Sequence, residues 1–308
     1  MKRFLLYALL VPVVLLALAA LFFVTRQAVT ATLIEKEWKT DPGLAPVLET
    51  TSRLEIIPLY ENDRVEERYE LGHGISYLIR TDSATVLLDL GHNPAESVDL
   101  PAIQNLQALG LPWEEIDALV VSHPHPDHMG GVKAWQNKTI SFGDLTGDLS
   151  GMPIYVPASL TYPGATLIQS TEPVLVSREV ATTGLISYPE VFPISLFTSR
   201  GAEQGLIVDV AGEGLVLITG CGHPTLETLV ARAEALYGKE VVGVVGGLHY
   251  GEADAAELEP HIQFLETRHP RLIALSPHDS SPAVLEGFHS KFPEAFRYIR
   301  VGETILFP

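Results

Sequence analysis

Cysteine is nearly absent from this sequence, which contains one, Cys221, in 308 residues. A single cysteine cannot form an internal disulfide, so the chain is not a disulfide-stabilised scaffold. Basic residues are also scarce, with 20 Lys and Arg against 38 Asp and Glu, and the net charge is −18. Because nucleic-acid binding relies on clusters of Lys and Arg, this balance argues against a nucleic-acid partner. The 46% of hydrophobic residues excludes a disordered chain and is ample for a packed core.

Charge is missing altogether from one long apolar run near the N-terminus, residues 4–24. As a helix, this run would be about 31 Å long, which matches the hydrocarbon core of a bilayer. Lys2 and Arg3 precede the run and Arg26 follows it. Because basic residues tend to stay on the cytoplasmic side, the sequence predicts a single-pass membrane protein whose remainder lies outside the cytosol.

A cleaved signal peptide is the alternative for this segment, since small residues follow it at Ala28 and Ala31. The remainder would then be secreted or periplasmic. We expect a membrane anchor or signal segment at residues 1–26, a linker at 27–52 that contains Pro42, Gly43 and Pro46, and a folded domain at 53–308. Without the first 26 residues the net charge is −21, from 17 basic and 38 acidic residues.

Short strands and helices alternate through residues 53–308, which predicts an α/β domain built in layers. A helix at 100–109 has Asp99 as its expected N-cap, and a helix at 225–237 is closed by Gly238. The other predicted helices are residues 255–269, bent at Pro260, and 282–292. The predicted strands are residues 53–60, 75–80, 85–90, 118–122, 152–156, 205–210, 214–219, 241–245 and 271–275, of which 205–210 and 214–219 form a hairpin.

A dense group of metal-binding residue types follows the strand at 118–122 and reads His123-Pro-His125-Pro-Asp127-His128. Alternate residues at a strand end point the same way, so His123 and His125 can bind one metal ion. The turn that follows can direct Asp127 and His128 toward a second ion. Nitrogen and carboxylate ligands suit Zn²⁺ first, with Fe or Mn as alternatives.

Three further histidines, His223, His249 and His278, each follow a strand-like segment. Because loops beyond the carboxyl ends of strands form the ligand crevice of an open sheet, these side chains could converge on the same site. A hydrogen-bonded buried histidine is the alternative for each one alone. Their joint occurrence after strands favours ligation, and the sequence therefore predicts two divalent metal ions.

These motifs bring the chain close to a known family. His123 to Gly131, Asp89-Leu90-Gly91 and Gly220-Cys221-Gly222-His223 together resemble the metallo-β-lactamase superfamily. Within it, the chain is similar to the branch of metal-dependent hydrolases related to dihydropterin-ribofuranosylaminobenzene-phosphate synthase, through Gly74-Ile-Ser-Tyr-Leu-Ile79, Thr219 to His223, Gly246-Gly-Leu-His249 and Pro277-His278. The resemblance spans roughly residues 71–307. It implies a four-layer αββα sandwich with a dinuclear metal site at one edge, His123, His125, Asp127 and His128 as ligands, and a buried structural role for Asp89.

Two departures from the family pattern leave part of the site open. The branch usually has His-Cys-Thr-Gly at its last motif, whereas this chain has His278-Asp-Ser-Ser. Many members also have a His before the hairpin and an Asp after it, where this chain has residues 201–204 and Cys221. Cys221 either replaces the Asp as a ligand or is a small buried residue while His223 binds the metal. His249 and His278 are alternatives for the remaining position at the second metal.

The pattern predicts a metal-dependent hydrolase that attacks an ester, lactone, amide or phosphoester of a small molecule with metal-activated hydroxide. Asp127 would orient the attacking water as well as bind metal. One alternative is a pterin-related transferase of the same fold, whose cytosolic substrates an exported domain would not meet. Another is a non-catalytic metal-binding module, which the complete set of seven candidate ligands disfavours. The sequence does not indicate an oligomeric state.

Overall fold

The computed structural model describes residues 2–40, 42–96, 98–143, 149 and 151–307. The chain divides into two compact units. One contains Met1–Thr40 and Ser187–Gly201, and the other contains Asp41–Ile186 and Ala202–Pro308. The larger unit carries all the candidate metal ligands.

Helices and strands are distributed as follows. The helices are α1 (Lys2–Glu37), α2 (Pro101–Ala108), α3 (Val132–Gln136), α4 (Leu226–Tyr237), α5 (Ala255–Glu266) and α6 (Pro282–Lys291). The strands are β1 (Thr50–Thr51), β2 (Glu55–Tyr60), β3 (Ser76–Arg80), β4 (Thr85–Leu88), β5 (Ala118–Val120), β6 (Ile154–Val156), β7 (Leu167–Gln169), β8 (Leu175–Ser177), β9 (Val180–Thr182), β10 (Ile186–Pro189), β11 (Arg200–Glu203), β12 (Leu206–Val210), β13 (Gly214–Ile218), β14 (Val241–Gly246), β15 (Leu272–Leu275) and β16 (Ile305–Leu306).

Two large sheets organise the second unit. The first has the strand order β16-β2-β3-β4-β5-β6-β7, and the second has the order β15-β14-β13-β12-β9-β8 with β1 beside β12. Strands β4 to β7 run parallel to one another, as do β13, β14 and β15. Because parallel strands end at the same edge of a sheet, the loops that follow β13, β14 and β15 all emerge together. These loops carry the histidines at 223, 249 and 278.

The two sheets pack face to face and bury a shared apolar core. Tyr77 and Val120 of the first sheet and Leu206 and Val245 of the second belong to this core. On the outer face of the first sheet, side chains such as that of Leu119 pack with α2 and α3. Helix α4 packs on β13 and β14 of the second sheet. The result is the αββα arrangement that the resemblance predicts.

The predicted hairpin and most predicted helices are confirmed. Strands β12 and β13 pair antiparallel, and α4 begins at the capping residue Thr225 and ends at Gly238 in the left-handed conformation. Asp99 is wrong as an N-cap, because the cap of α2 is Leu100 and makes no side-chain hydrogen bond. Pro101 occupies the first turn, where its missing N–H costs nothing.

Helix α5 also differs from its prediction, because it ends at Glu266 rather than at residue 269. His269 precedes Pro270, and the residue before a proline is sterically disfavoured in the helical conformation. Its start is well defined, since Asp254 and Glu257 form a reciprocal capping box. Pro260 lies within the helix without ending it.

Helix α1 dominates the smaller unit and is continuous from Lys2 to Glu37. By length and composition, its Leu10–Glu37 part could cross a membrane, and a signal sequence at this place would meet the same criteria. Residues 27–37 of the predicted linker therefore belong to the same helix as the apolar run. The division of the chain at residues 26 and 52 stays a prediction.

Candidate metal centre

The loop after β5 gathers the first group of candidate ligands. Strand β5 is fully buried between β4 and β6, and the chain leaves it at the sheet edge. Tight turns then fold the loop, with backbone N–H groups donating from His125 to the carbonyl of His123 and from His128 to the carbonyl of His125. The ring centroids of His123 and His128 consequently lie 4.1 Å apart. Two side chains that are five positions apart in the sequence thus become neighbours in space.

His123, His125 and His223 form one cluster, which we call the first trio. Each offers a nitrogen, and these atoms lie within 4.8 Å of one another. His223 reaches the cluster from the loop after β13. Among the residues that the structure describes, the buried Nε2 of His123 has no hydrogen-bond partner, while its Nδ1 lies 2.9 Å from the Ser122 hydroxyl. A buried imidazole nitrogen directed into a group of other nitrogens fits a metal ion.

Asp127, His128 and His278 form a second cluster of the same kind, the second trio, with ligand atoms also within 4.8 Å of one another. The Nδ1 of His128 lies 2.7 Å from Oδ2 of Asp89, and the Nδ1 of His278 lies 2.6 Å from the Ser276 hydroxyl. These contacts hold the rings from behind and leave both Nε2 atoms facing the cluster. Protein metal sites commonly orient their histidines in this way.

Cys221 lies between the two trios. Its Sγ is 3.1 Å from Nε2 of His128 and 3.1 Å from Nε2 of His278. The same sulfur groups with His123 of the first trio. Burial raises the pKa of the Cys221 thiol well above its usual value. A metal ion would reverse this, because a coordinating thiol is deprotonated.

His249 stands apart from the second trio and groups with Cys221 and His223 instead. It is exposed, whereas His278 is buried with 6% of its surface accessible. The backbone of His249 has a φ of 53°, and its N–H donates to Oδ2 of Asp279 at 2.9 Å. Of the two histidines that compete for the second metal in the sequence, the geometry favours His278.

Electrostatics favour the charged forms of His128 and Asp127 in the second trio, whereas burial lowers the pKa of His278 well below its usual value. Burial opposes protonation of His128, but the carboxylates of Asp89 and Asp127 raise its pKa to about 9. Burial also opposes ionisation of Asp127, yet the charges of His128 and His278 lower its pKa. Burial and the charges of the neighbouring histidines both lower the pKa of His123, which falls well below its usual value. His123 is therefore neutral at pH 7, as metal ligation requires.

Sequence reasoning missed the buried carboxylate of Glu203, at the end of β11. Its side chain accepts hydrogen bonds from the backbone N–H groups of Gly222 at 2.8 Å and His223 at 2.9 Å, and lies 3.0 Å from Nδ1 of His223. Burial would raise the pKa of Glu203, but the contacts with His223 lower it. The signal available in the sequence was a lone acidic residue within a strand, since a buried charge needs partners.

Glu203→Gln is expected to weaken metal binding at the first trio by about 10–100-fold, as loss of a hydrogen-bonding partner of a histidine ligand typically does. The amide keeps the size of the side chain but loses the charge that fixes the ring of His223. Equilibrium dialysis against buffered Zn²⁺ measures the effect. Glu179→Gln is the matched control, because Glu179 is also buried and accepts hydrogen bonds at Ser83 instead. An unchanged affinity for Glu203→Gln would contradict the positioning role.

Comparison with known proteins gives the following matches. Residues 70–140 match the family model of the metallo-beta-lactamase superfamily. The chain is 23% identical over 276 residues to the 7,8-dihydropterin-6-methyl-4-(beta-D-ribofuranosyl)-aminobenzene-5'-phosphate synthase of Methanocaldococcus jannaschii. The alignment covers 76% of this chain and 90% of that protein. That similarity corresponds to the branch that the sequence motifs indicate.

Solved structures share the fold. A metal-dependent hydrolase of the beta-lactamase superfamily aligns with a TM-score of 0.59 at 18% identity, over 82% of this chain and 98% of its own. The metallo-beta-lactamase fold protein YhfI from Bacillus subtilis aligns with a TM-score of 0.54 at 14% identity, over 83% and 99%. The fold implies divalent metal binding, and the clusters of His, Asp and Cys are present to provide it. The resemblance to the metallo-β-lactamase superfamily is therefore confirmed, by the family model over residues 70–140 and by the fold over most of the chain.

Proposed function

We propose that this protein is a membrane-anchored hydrolase that uses two divalent metal ions, Zn²⁺ or else Fe or Mn, on a small-molecule ester, lactone, amide or phosphoester. The observation that carries the proposal is the pair of ligand trios with the buried sulfur of Cys221 between them. Helix α1 would hold the protein in the membrane as a single span, with the catalytic domain outside the cytosol. Cleavage of a signal peptide would instead release the domain.

In this proposal His123, His125 and His223 bind the first metal. Asp127, His128 and His278 bind the second, and His249 lies at the exposed rim. Bound divalent metal ions supply Lewis acidity, which makes hydroxide available near neutral pH. The carboxylate of Asp127 is a basic group of the second trio, and its second oxygen can orient the attacking water. Its lowered pKa keeps it ionised, so it accepts a hydrogen bond from that water rather than donating one.

The function is tested with the full-length protein, Zn²⁺ and a panel of chromogenic esters, lactones, β-lactams and phosphodiesters. We expect turnover of one class, abolished by a chelator and restored by metal. Uniform silence in the metal-loaded protein would favour a non-catalytic metal-binding module. A pterin-related transferase is the second candidate, which the similarity to the archaeal synthase over 90% of its length favours. Turnover of a pterin-containing substrate with no hydrolysis of the panel would select it.

The role of Cys221 gives a separate prediction. We expect the Co²⁺-substituted protein to show a thiolate-to-metal charge-transfer absorption, because the Sγ of Cys221 contacts two members of the second trio and groups with His123 of the first. Cys221→Ser should remove this absorption while the protein still binds Co²⁺. The chain has no other cysteine, so the band can be assigned without ambiguity. If the native protein binds Co²⁺ without the band, Cys221 is a small buried residue rather than a ligand.

A further inference from the structure

The smaller unit joins the end of helix α1 to a segment that lies far along the chain. Trp38 Nε1 donates to the carbonyl of Ser187 at 2.7 Å, and Thr30 Oγ1 donates to the hydroxyl of Ser199 at 3.1 Å. The guanidinium of Arg26 donates to the carbonyl of Ser195. At 1.5 Å per residue, these contacts extend over about 18 Å of the helix. The segment therefore follows the helix back from Trp38 to Arg26, two residues beyond the apolar run.

The middle of this segment, residues 191–199, reads Val-Phe-Pro-Ile-Ser-Leu-Phe-Thr-Ser and has no charge. Its large apolar side chains are nevertheless exposed, with accessible fractions of 76% for Phe192, 54% for Leu196 and 77% for Phe197. Contiguous exposed apolar side chains are unusual on a water-facing surface and mark a contact with something apolar. We call residues 191–197 the apolar tip.

The base of the same segment is polar, unlike the tip. Arg200 forms an ion pair with Glu37 and a 2.8 Å hydrogen bond with the hydroxyl of Ser187. Ser195, in the middle of the tip, is 3% exposed and has its carbonyl fixed by Arg26. The tip carries no charge of its own and is held at the level of Arg26, while Arg200 pairs with Glu37 at the base. The polar base and the apolar tip thus lie at different heights along helix α1. This order is the one expected for a segment that extends from water toward lipid.

We propose that the apolar tip is a second membrane contact, which inserts Phe192, Leu196 and Phe197 into the interface of the bilayer that helix α1 crosses. The inference rests on the membrane anchoring proposed above. The hydrogen bond to Arg26 places the tip two residues beyond the end of the apolar run 4–24, which is the edge of the hydrocarbon core in the proposed span. Aromatic side chains are favoured at this depth, and each buries about 150–250 Å². The occupant of the tip is lipid rather than a protein partner.

Photo-crosslinking in the full-length protein tests this inference. The chain is reconstituted in nanodiscs of phosphatidylcholine and phosphatidylglycerol, with p-benzoylphenylalanine replacing one residue at a time. Positions Phe192 and Phe197 report on the tip, and Leu16 reports on the helix. Tyr298, an exposed aromatic residue of the larger unit, is the matched control. We expect lipid adducts by mass spectrometry at Phe192, Phe197 and Leu16, and none at Tyr298.

Each other outcome has a distinct meaning. A lipid adduct at Leu16 with none at Phe192 and Phe197 overturns the membrane contact of the tip and leaves the anchor intact. No lipid adduct at any of the three overturns the anchor itself. Adducts at the tip to a second copy of the chain or to an added protein, rather than to lipid, also overturn the inference. Because benzophenone replaces an exposed side chain at each position, unfolding is not expected, and unchanged thermal melting of each variant verifies this.

Discussion

His125→Ala and Asp127→Ala are each expected to bind one metal ion tightly, against the two proposed for the native protein, and to lose hydrolysis. Each substitution removes a ligand from one trio and leaves the three donors of the other in place. Loss of Asp127 also removes the group proposed to orient the attacking water, and a positioned proton-accepting group typically contributes about 10²–10⁴-fold to a rate. Metal content by mass spectrometry and turnover of the best substrate of the panel measure the two effects.

His289→Ala is the control for these variants. It removes an imidazole from the exposed face of α6, where His289 lies beside Tyr298, and should change neither metal content nor activity. Circular dichroism should show that all three variants stay folded, since neither His125 nor Asp127 belongs to the apolar core between the sheets. A variant with both His125→Ala and Asp127→Ala that kept full activity would remove the basis for the proposed function.

Removal of the metals is expected to lower the melting temperature of the protein substantially. With free Zn²⁺ about a thousandfold above its dissociation constant, each occupied site adds about 4 kcal/mol to the free energy of unfolding. For a domain of this size that corresponds to roughly 8–16 °C per site, at about 2–4 °C per kcal/mol. In the metal-free protein, several ionisable groups of the site stay buried close together. This burial is expected to lower the free energy of unfolding further. Differential scanning calorimetry with and without chelator measures the shift.

The variant with both His125→Ala and Asp127→Ala separates metal loss from other effects of the chelator. Its melting temperature should respond little to the chelator, because both sites are already impaired. If the native protein and this variant shift equally, the chelator acts elsewhere and the trios do not bind the metal. The single variants are expected to respond by an intermediate amount.

The sequence predicted the loop after β5 well because its candidate ligands are neighbours in the chain. His123, His125, Asp127 and His128 lie within six residues, so the tight turns that follow β5 are enough to bring them together. The fold followed from the same motif and from the alternation of strands and helices. The cap of α2 was predicted wrongly because Asp99 is a good capping residue type, while Pro101 set the actual start of the helix.

Long-range parts of the site could not be predicted in this way. Glu203 reaches His223 across 20 positions of sequence, and its burial depends on how the loop after β13 folds over β11. The choice between His249 and His278 depended on which of two strand-end loops turns inward, and neither loop has a sequence signal for that. The resemblance placed Cys221 near the candidate ligands, but its equal distances from His128 and His278 required the assembled sheets.

The hydrogen bonds to the Nδ1 atoms of the histidine rings order the candidate ligands before any metal ion binds. Ser122, Asp89, Ser276 and Glu203 each hold the Nδ1 side of a different ring. The rotational entropy of those rings is thus lost when the chain folds, and arriving ions do not have to order them. The metal site should therefore be preorganised. Metal binding should show a small heat-capacity change, unlike binding that is coupled to folding around the ion.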